Sequence, residues 1–80
     1  MTLLEKLNKE LSAYNLEFIK EKESNFKFTG ILRDTETKTE VQFDVHKSLQ
    51  WNKIKSHAEW CRNYMNNYIF IMSLQKGGKQ

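Results

Sequence analysis

The chain of 80 residues contains no proline, only three glycines and a single cysteine, Cys61. Because two of the glycines stand near the end of the sequence, the chain contains no stretch that would form a flexible internal linker. We therefore predict one domain over residues 1–76. A lone cysteine leaves no internal disulfide, so packing alone must hold the fold, as is typical in a reducing cytosol. Residues 77–80 are predicted to form a disordered tail.

Long hydrophobic runs are also missing. The longest apolar run, from Tyr68 to Met72, is far shorter than the ~20 residues that span a bilayer. Met1 leads straight into an amphipathic helix and not into the apolar core of a secretory signal. We therefore expect a cytoplasmic protein that does not associate with membranes.

The net charge of +3 is unevenly distributed. Residues 1–40 carry seven basic and eight acidic groups, whereas residues 41–80 carry six basic and two acidic groups. A local excess of basic groups can attract nucleic acid or an acidic protein partner. The absence of a strong acidic excess argues against a mimic of nucleic acid.

Local patterns predict an α+β fold. A capping box from Thr2 to Glu5 begins an amphipathic helix, which we expect to end at Asn15. Alternating apolar residues joined by short turns then predict three antiparallel strands, followed by a second helix with Ser48 as its N-cap. The expected fold is α-β-β-β-α(-β), an antiparallel meander packed against two helices, with strands over residues 16–22, 26–33 and 41–45.

The last part of the chain is open to two interpretations. Up to Met65 the apolar spacing is helical, but residues 68–74 are apolar on both strand faces and favour a buried fourth strand. A helix continuing to Gln75 would be about 40 Å long, against a radius of gyration of ~12 Å for a compact domain. Its apolar end would project into water unless a partner covered it, so we expect the helix to end near Asn66.

The predicted core consists of the inward-facing residues of these elements. Two isoleucines, Ile19 and Ile31, fall on the outward face of the sheet, either as scattered surface residues or as a secondary patch covered by a second helix or by a partner. The core residues are Leu4, Leu7, Leu11, Phe18, Phe26, Phe28, Leu32, Val41, Phe43, Val45, Ile54, Ala58, Cys61, Met65, Ile69 and Ile71.

The stretch Phe43–Ser48 ends the third strand, and with this element order the chain resembles in topology the core of PD-(D/E)xK nucleases. In enzymes of that family, a strand-borne acid pair and a lysine together bind the metal and activate water. Here the pattern reads Asp44-x-His46, with Lys47 one residue late, and Thr29-Gly30 occupies the place of the preceding acid. The resemblance implies a degenerate nuclease fold and not an active nuclease.

The other side chains that could act in catalysis or metal binding also have purely structural interpretations. Asp44 and His46 are neighbours on one strand face, which suits a surface hydrogen bond as well as a base or a ligand pair. His57 has no second histidine at metal-ligand spacing. Cys61 falls in the apolar helical stripe and behaves there as a small hydrophobe. We therefore expect no catalytic residue, no metal and no cofactor.

The aromatic flank of the second helix is the strongest functional signal. Trp60 and Tyr64 widen its apolar arc to about half the circumference, more than one sheet contact needs. They either shield the core or bind a partner, and such residues suit both protein hot spots and stacking on unpaired bases. The leading hypothesis is a non-enzymatic interaction module that regulates or inhibits a larger protein. An accessory protein of a phage or mobile element would fit this hypothesis. The module could act as a monomer or as a homodimer. Nucleic-acid binding is the alternative, and the candidate binding residues are Lys47, Lys53, Lys55, His57, Trp60, Arg62 and Tyr64.

Overall fold

Two helices flank three strands in the computed structural model, which describes residues 1–77. The three strands form one antiparallel sheet in the order β1-β2-β3, which confirms the predicted α+β class and meander. The elements in chain order are α1 (Leu3–Ser12), β1 (Leu16–Glu23), β2 (Lys27–Asp34), β3 (Glu40–His46), a 3₁₀ turn at Trp51–Lys53, and α2 (Ile54–Gly77).

Helix α1 begins at the predicted capping box and ends at Ser12, three residues before the predicted end at Asn15. The Thr2 hydroxyl accepts a hydrogen bond from the Glu5 amide at 3.2 Å, and the Glu5 carboxylate accepts one from the Thr2 amide at 2.8 Å. After Ser12 the chain turns at Asn15, which has a left-handed φ of 59°. Asparagine tolerates this region better than most residues, so Asn15 suits the exit from the helix.

The amide of Asn8 connects helix α1 to strand β1. Its Oδ1 accepts a hydrogen bond from the Phe18 amide at 2.7 Å, and its Nδ2 donates one to the Phe18 carbonyl at 3.2 Å. Both backbone groups of Phe18 are thus satisfied by a single side chain on the edge of the sheet. The helix is thereby held in register against the strand.

Strands β1 and β2 are in close backbone contact at Gly30. A Cβ atom placed there would overlap the carbonyl oxygen of Ile19 on the neighbouring strand. The pairing register also shifts beside this point, between Lys20 and Lys22, which marks a β-bulge. Only glycine fits this position without displacing the backbone of β1.

One face of the sheet packs against both helices. Phe18 of β1 and Phe43 of β3 meet edge to face across it, with ring centroids 6.3 Å apart. The other face carries charged and polar side chains. The buried core consists of Leu7, Leu11, Leu16, Phe18, Leu32, Phe43, Val45, Ile54, Ala58, Cys61 and Met65.

Two of the predicted core residues are wrong. Phe26 is 78% exposed, because it belongs to the turn before β2, where strand alternation does not apply. Ile71 is 52% exposed on helix α2. Leu4, Phe28, Val41 and Ile69 are half-buried and pack against the edge of the core.

The predicted fourth strand is also wrong, because α2 continues without interruption from Ile54 to Gly77. No proline or glycine occurs between Ile54 and Lys76 to interrupt its hydrogen bonds, so helix propagation prevails over the β-propensity of residues 68–74. The helix is about 36 Å long at 1.5 Å per residue and contributes to a longest dimension of 47 Å.

The start of α2 differs from the prediction as well. Gln50, and not Ser48, is the N-cap of the 3₁₀ turn that leads into the helix, and its side chain makes no capping hydrogen bond. Of the predicted tail, Gly77 is the last residue of α2, and residues 78–80 lie outside the described part of the chain. Neither helix within residues 1–77 combines the length and apolarity needed to cross a bilayer.

Candidate interaction surface on helix α2

Three aromatic side chains of α2 stack in a row above strand β3. The rings of His57 and Trp60 are parallel within 9° at 5.6 Å, and those of Trp60 and Tyr64 within 13° at 5.4 Å. Phe43 lies against all three, with centroid distances of 5.6 to 6.3 Å. The core residue Phe43 therefore positions the row, while Trp60 remains 51% exposed.

His57 is the most sheltered member of this row. Its burial lowers the pKa of the imidazole, because the charged form loses hydration there. The neutral ring can then stack on Trp60 as an aromatic group. This arrangement gives His57 a packing role and no metal partner among the described residues.

Beyond this row, α2 carries a stretch without charge. No charged residue occurs between Arg62 and Lys76, and large apolar side chains are exposed in this stretch among asparagine, serine and glutamine residues. Phe70, Leu74 and Ile71 are 63%, 59% and 52% exposed. Such a cluster differs from the singly scattered apolar residues of an ordinary surface and indicates a binding site.

The exposed side chains share a regular spacing. Steps of three and four residues alternate along α2, which is the 3.5-residue repeat of a helix that packs along another helix. We name this set the α2 seam, and its members are His57, Trp60, Tyr64, Asn67, Ile71 and Leu74.

A second stripe on the same helix faces the core. Ile54, Ala58, Cys61 and Met65 are fully buried there. At 3.6 residues per turn the centres of the two stripes are about 120° apart around the helix. Packing against the domain therefore accounts for the core stripe, whereas the α2 seam meets the core through Phe43 and is exposed along its later residues.

Several predicted cations are engaged within the fold. The Lys47 ammonium lies 2.6 Å from the Glu23 carboxylate, and this contact, with a second from Lys20, lowers the pKa of Glu23. Arg62 donates to Asp34 at 2.6 Å and to the Tyr14 carbonyl at 2.8 Å.

The remaining two predicted cations, Lys53 and Lys55, are exposed at the start of α2. The structure thus groups His57, Trp60 and Tyr64 on one face of the helix. It places the guanidinium of Arg62 and the ammonium of Lys47 in separate ion pairs.

Asp34 is the one buried charged side chain among the described residues. Burial alone would raise the pKa of its carboxyl group, but hydrogen bonds from the Thr37 amide, from Arg62 and from the Glu36 amide hold the pKa below its ordinary value. The carboxylate is therefore the stable form in the folded protein. Its role is to join β2, the following turn and α2.

The nuclease resemblance does not extend to a catalytic site. Asp44 bonds to Lys27 at 3.0 Å, a contact that lowers the pKa of Asp44, and within residues 1–77 no three acidic, histidine or cysteine side chains converge as metal ligands would. The predicted fourth strand, on which the likeness in element order depended, is part of α2 instead. The resemblance therefore provides no argument about function.

Ion pairs between neighbouring strands link many of the side chains on the outward face of the sheet. Arg33 contacts Glu17 at 2.7 Å and Glu40 at 3.5 Å across neighbouring strands. Between these pairs, Ile19 and Ile31 are direct cross-strand partners, and Ile19 is 42% exposed. The predicted secondary patch is thus one contact between two isoleucines.

Cys61 lies in the core stripe of α2 with no exposed surface. Burial raises the pKa of its thiol to about 12, so the nucleophilic thiolate is not formed at neutral pH.

Comparisons with known protein families, with curated proteins and with solved structures find no match for this chain. Functional inference therefore depends on the surfaces of the molecule.

The α2 seam is the feature that sequence interpretation missed in part. The sequence predicts an aromatic flank at Trp60 and Tyr64, with His57 beside them, but it places Asn67 beyond the expected end of the helix and Ile71 and Leu74 in a strand. The signal was present, because the three-and-four spacing continues unchanged from His57 to Leu74. It becomes visible only when α2 is treated as one helix.

Proposed function

We propose that this protein is a non-enzymatic interaction module that binds a protein partner through the exposed side of helix α2. The observation that carries the proposal is the exposed apolar surface at Phe70, Ile71 and Leu74, on a helix that extends past the domain core. Aromatic residues and Met are enriched at the cores of protein interfaces, and charged residues are depleted. The uncharged stretch of α2 has this composition.

The aromatic row extends the same surface toward the domain. Trp60 and Tyr64 are partly exposed, and they are held in place by stacking and by Phe43. Preorganised aromatic side chains lose little conformational freedom on binding, which is a property of interface hot spots. Regulation or inhibition of a larger protein, in the cytoplasm of its host, remains the role that we propose for the module as a whole.

Photo-crosslinking from a single position tests the proposal. A photoreactive phenylalanine analogue replaces Leu74 in one variant and Lys38, in the β2–β3 turn, in the control, and both are illuminated in the cells of origin. We expect crosslinked protein species from position 74 and not from position 38. Equal yields, or no species from position 74, would contradict the proposal.

Nucleic-acid binding remains the alternative, supported by the exposed Lys53 and Lys55 near the aromatic row. Its electrostatic support is reduced, because Lys47 and Arg62 are already paired with carboxylates. Fluorescence anisotropy of labelled single strands at roughly 50 and 200 mM salt separates the two functions, since phosphate contacts weaken steeply with salt.

A further inference from the structure

We infer that the occupant of the α2 seam is a second copy of this chain, so that two α2 helices pack along each other in a homodimer. This inference rests on the proposed function and names its partner. The seam has the repeat of a two-helix contact, and α2 itself is a helix with the matching repeat. Each copy thus presents both halves of the same interface.

Charge favours a second copy over an unrelated acidic or basic partner. In a two-fold dimer the same surface meets itself, so any net charge on it would repel its counterpart. Neither the α2 seam nor its flanking residues Ser56, Asn63 and Phe70 carry a charge. Apart from Lys53 and Lys55 at its N-terminal end, the surface offers nothing for an oppositely charged partner to recognise, and nothing that opposes its own copy.

Asn67 gives a more specific argument. It is the one amide in the α2 seam and stands near its middle, among apolar and aromatic neighbours. An amide has both donor and acceptor groups, so two Asn67 side chains facing each other can satisfy one another. Against an apolar groove the same side chain would be buried without a partner, and a polar residue at such a position typically fixes helix register.

The exposed apolar area of this side of α2 limits how tightly two copies can associate. The rings of Trp60, Tyr64 and Phe70 are 51%, 36% and 63% exposed, and at about 150–250 Å² each they offer roughly 300 Å². Ile71 and Leu74 add apolar surface toward the about 800 Å² that each partner buries in a standard interface. We therefore expect a modest dimer with a dissociation constant on the order of 10 µM.

Light scattering after size exclusion, at protein concentrations from roughly 1 to 500 µM, measures the association directly. We expect the mass to rise from the monomer value of 9.6 kDa toward twice that value. The variant Ile71→Glu places a carboxylate on each copy of the seam and should weaken association at least about tenfold. Ser73→Glu adds the same charge to an exposed position on another side of α2 and should leave association unchanged.

Folding is checked for both variants by circular dichroism and urea unfolding, and neither substituted side chain belongs to the core. A wild-type chain that stays monomeric at the highest concentration would overturn the inference. An equal effect of Ile71→Glu and Ser73→Glu would do the same, because the seam would then not be the contact.

The outcomes also separate this inference from the proposed function. A monomeric chain whose Leu74 position crosslinks to a different protein would overturn the homodimer and leave the interaction module in place. Crosslinks from position 74 between two copies of the chain, at twice the mass, would support both. A dimer that forms without the seam and an absence of crosslinks at position 74 would contradict both.

Discussion

The guanidinium of Arg62 lies 2.6 Å from the carboxylate of Asp34 and joins helix α2 to the end of strand β2. The two residues are separated by 28 positions in the sequence. Their contact orients the helix relative to the sheet, and with it the direction in which the free part of α2 extends. The placement of the interaction surface thus depends on an ion pair that is itself outside that surface.

Replacing Arg62 with Met should lower the free energy of unfolding by about 3 kcal/mol, because it leaves a buried carboxylate without its cation. Lys27→Met is the matched control, since the Lys27–Asp44 pair is well exposed to solvent and should contribute less than about 1 kcal/mol. Urea unfolding of the two variants gives both values. Similar losses in the two variants would contradict the structural role of Arg62.

The lowered pKa of Asp34 predicts a dependence of stability on pH. Its contribution is present above the ordinary carboxyl value of 3.8 and is lost as the pH falls through the lower folded pKa. The stability difference between the wild type and Asp34→Asn should therefore be largest near neutral pH and shrink on acidification. Urea unfolding at roughly pH 6 and pH 3 measures it, and a difference that grows at low pH would reverse the assignment.

Phe43 supports both the core and the aromatic row, so Phe43→Ala should cost about 3–5 kcal/mol and could abolish cooperative unfolding. Phe26→Ala removes the same ring from an exposed turn and should change stability by less than about 0.5 kcal/mol. Thermal unfolding followed by circular dichroism compares them. If both variants melted like the wild type, the position of Phe43 in the core would be refuted.

Gly30→Ala should destabilise the protein by about 2 kcal/mol, because the added methyl group displaces the backbone of β1 at Ile19. The neighbouring substitution Thr29→Ala points to the outward face and should cost clearly less. Urea unfolding again provides the measurement. A neutral Gly30→Ala variant would show that β1 can move away at its bulge without loss.

Cys61 should react with an aromatic disulfide reagent only after the protein unfolds, because its thiol is buried and its pKa is about 12. Thiol modification and the loss of helical circular dichroism should then share one midpoint in urea. Rapid modification of the native protein at neutral pH would show that the core stripe of α2 opens locally.

Much of the fold could be predicted from local patterns. The capping box of α1, the three alternating strands and the core stripe from Ile54 to Met65 depend on short-range chemistry that is visible in the sequence. The buried pairing of Asp34 with Arg62 could not be predicted, because neither residue shows by its own neighbours that it meets the other. Asp34 falls in the turn between the second and third predicted strands, where exposed polar residues are the rule.

The error at residues 68–74 has a physical cause. The prediction assumes that the whole chain packs within one compact domain, but the last turns of α2 do not. β-propensities differ by only about 1 kcal/mol across residue types and depend on burial, so they are weak once a continuous helix is already formed. The feature that makes Ile71 and Leu74 candidates for binding is the same one that made them resemble a buried strand.

The side chain of Asn8 has a consequence for unwanted assembly. An exposed strand edge can accept a strand from another chain, which leads to aggregation. At Phe18 that position is already occupied, since both backbone groups bond to the Asn8 amide. A foreign strand would first have to displace a side chain anchored on α1, so the β1 edge is protected against fibril-like growth at this position.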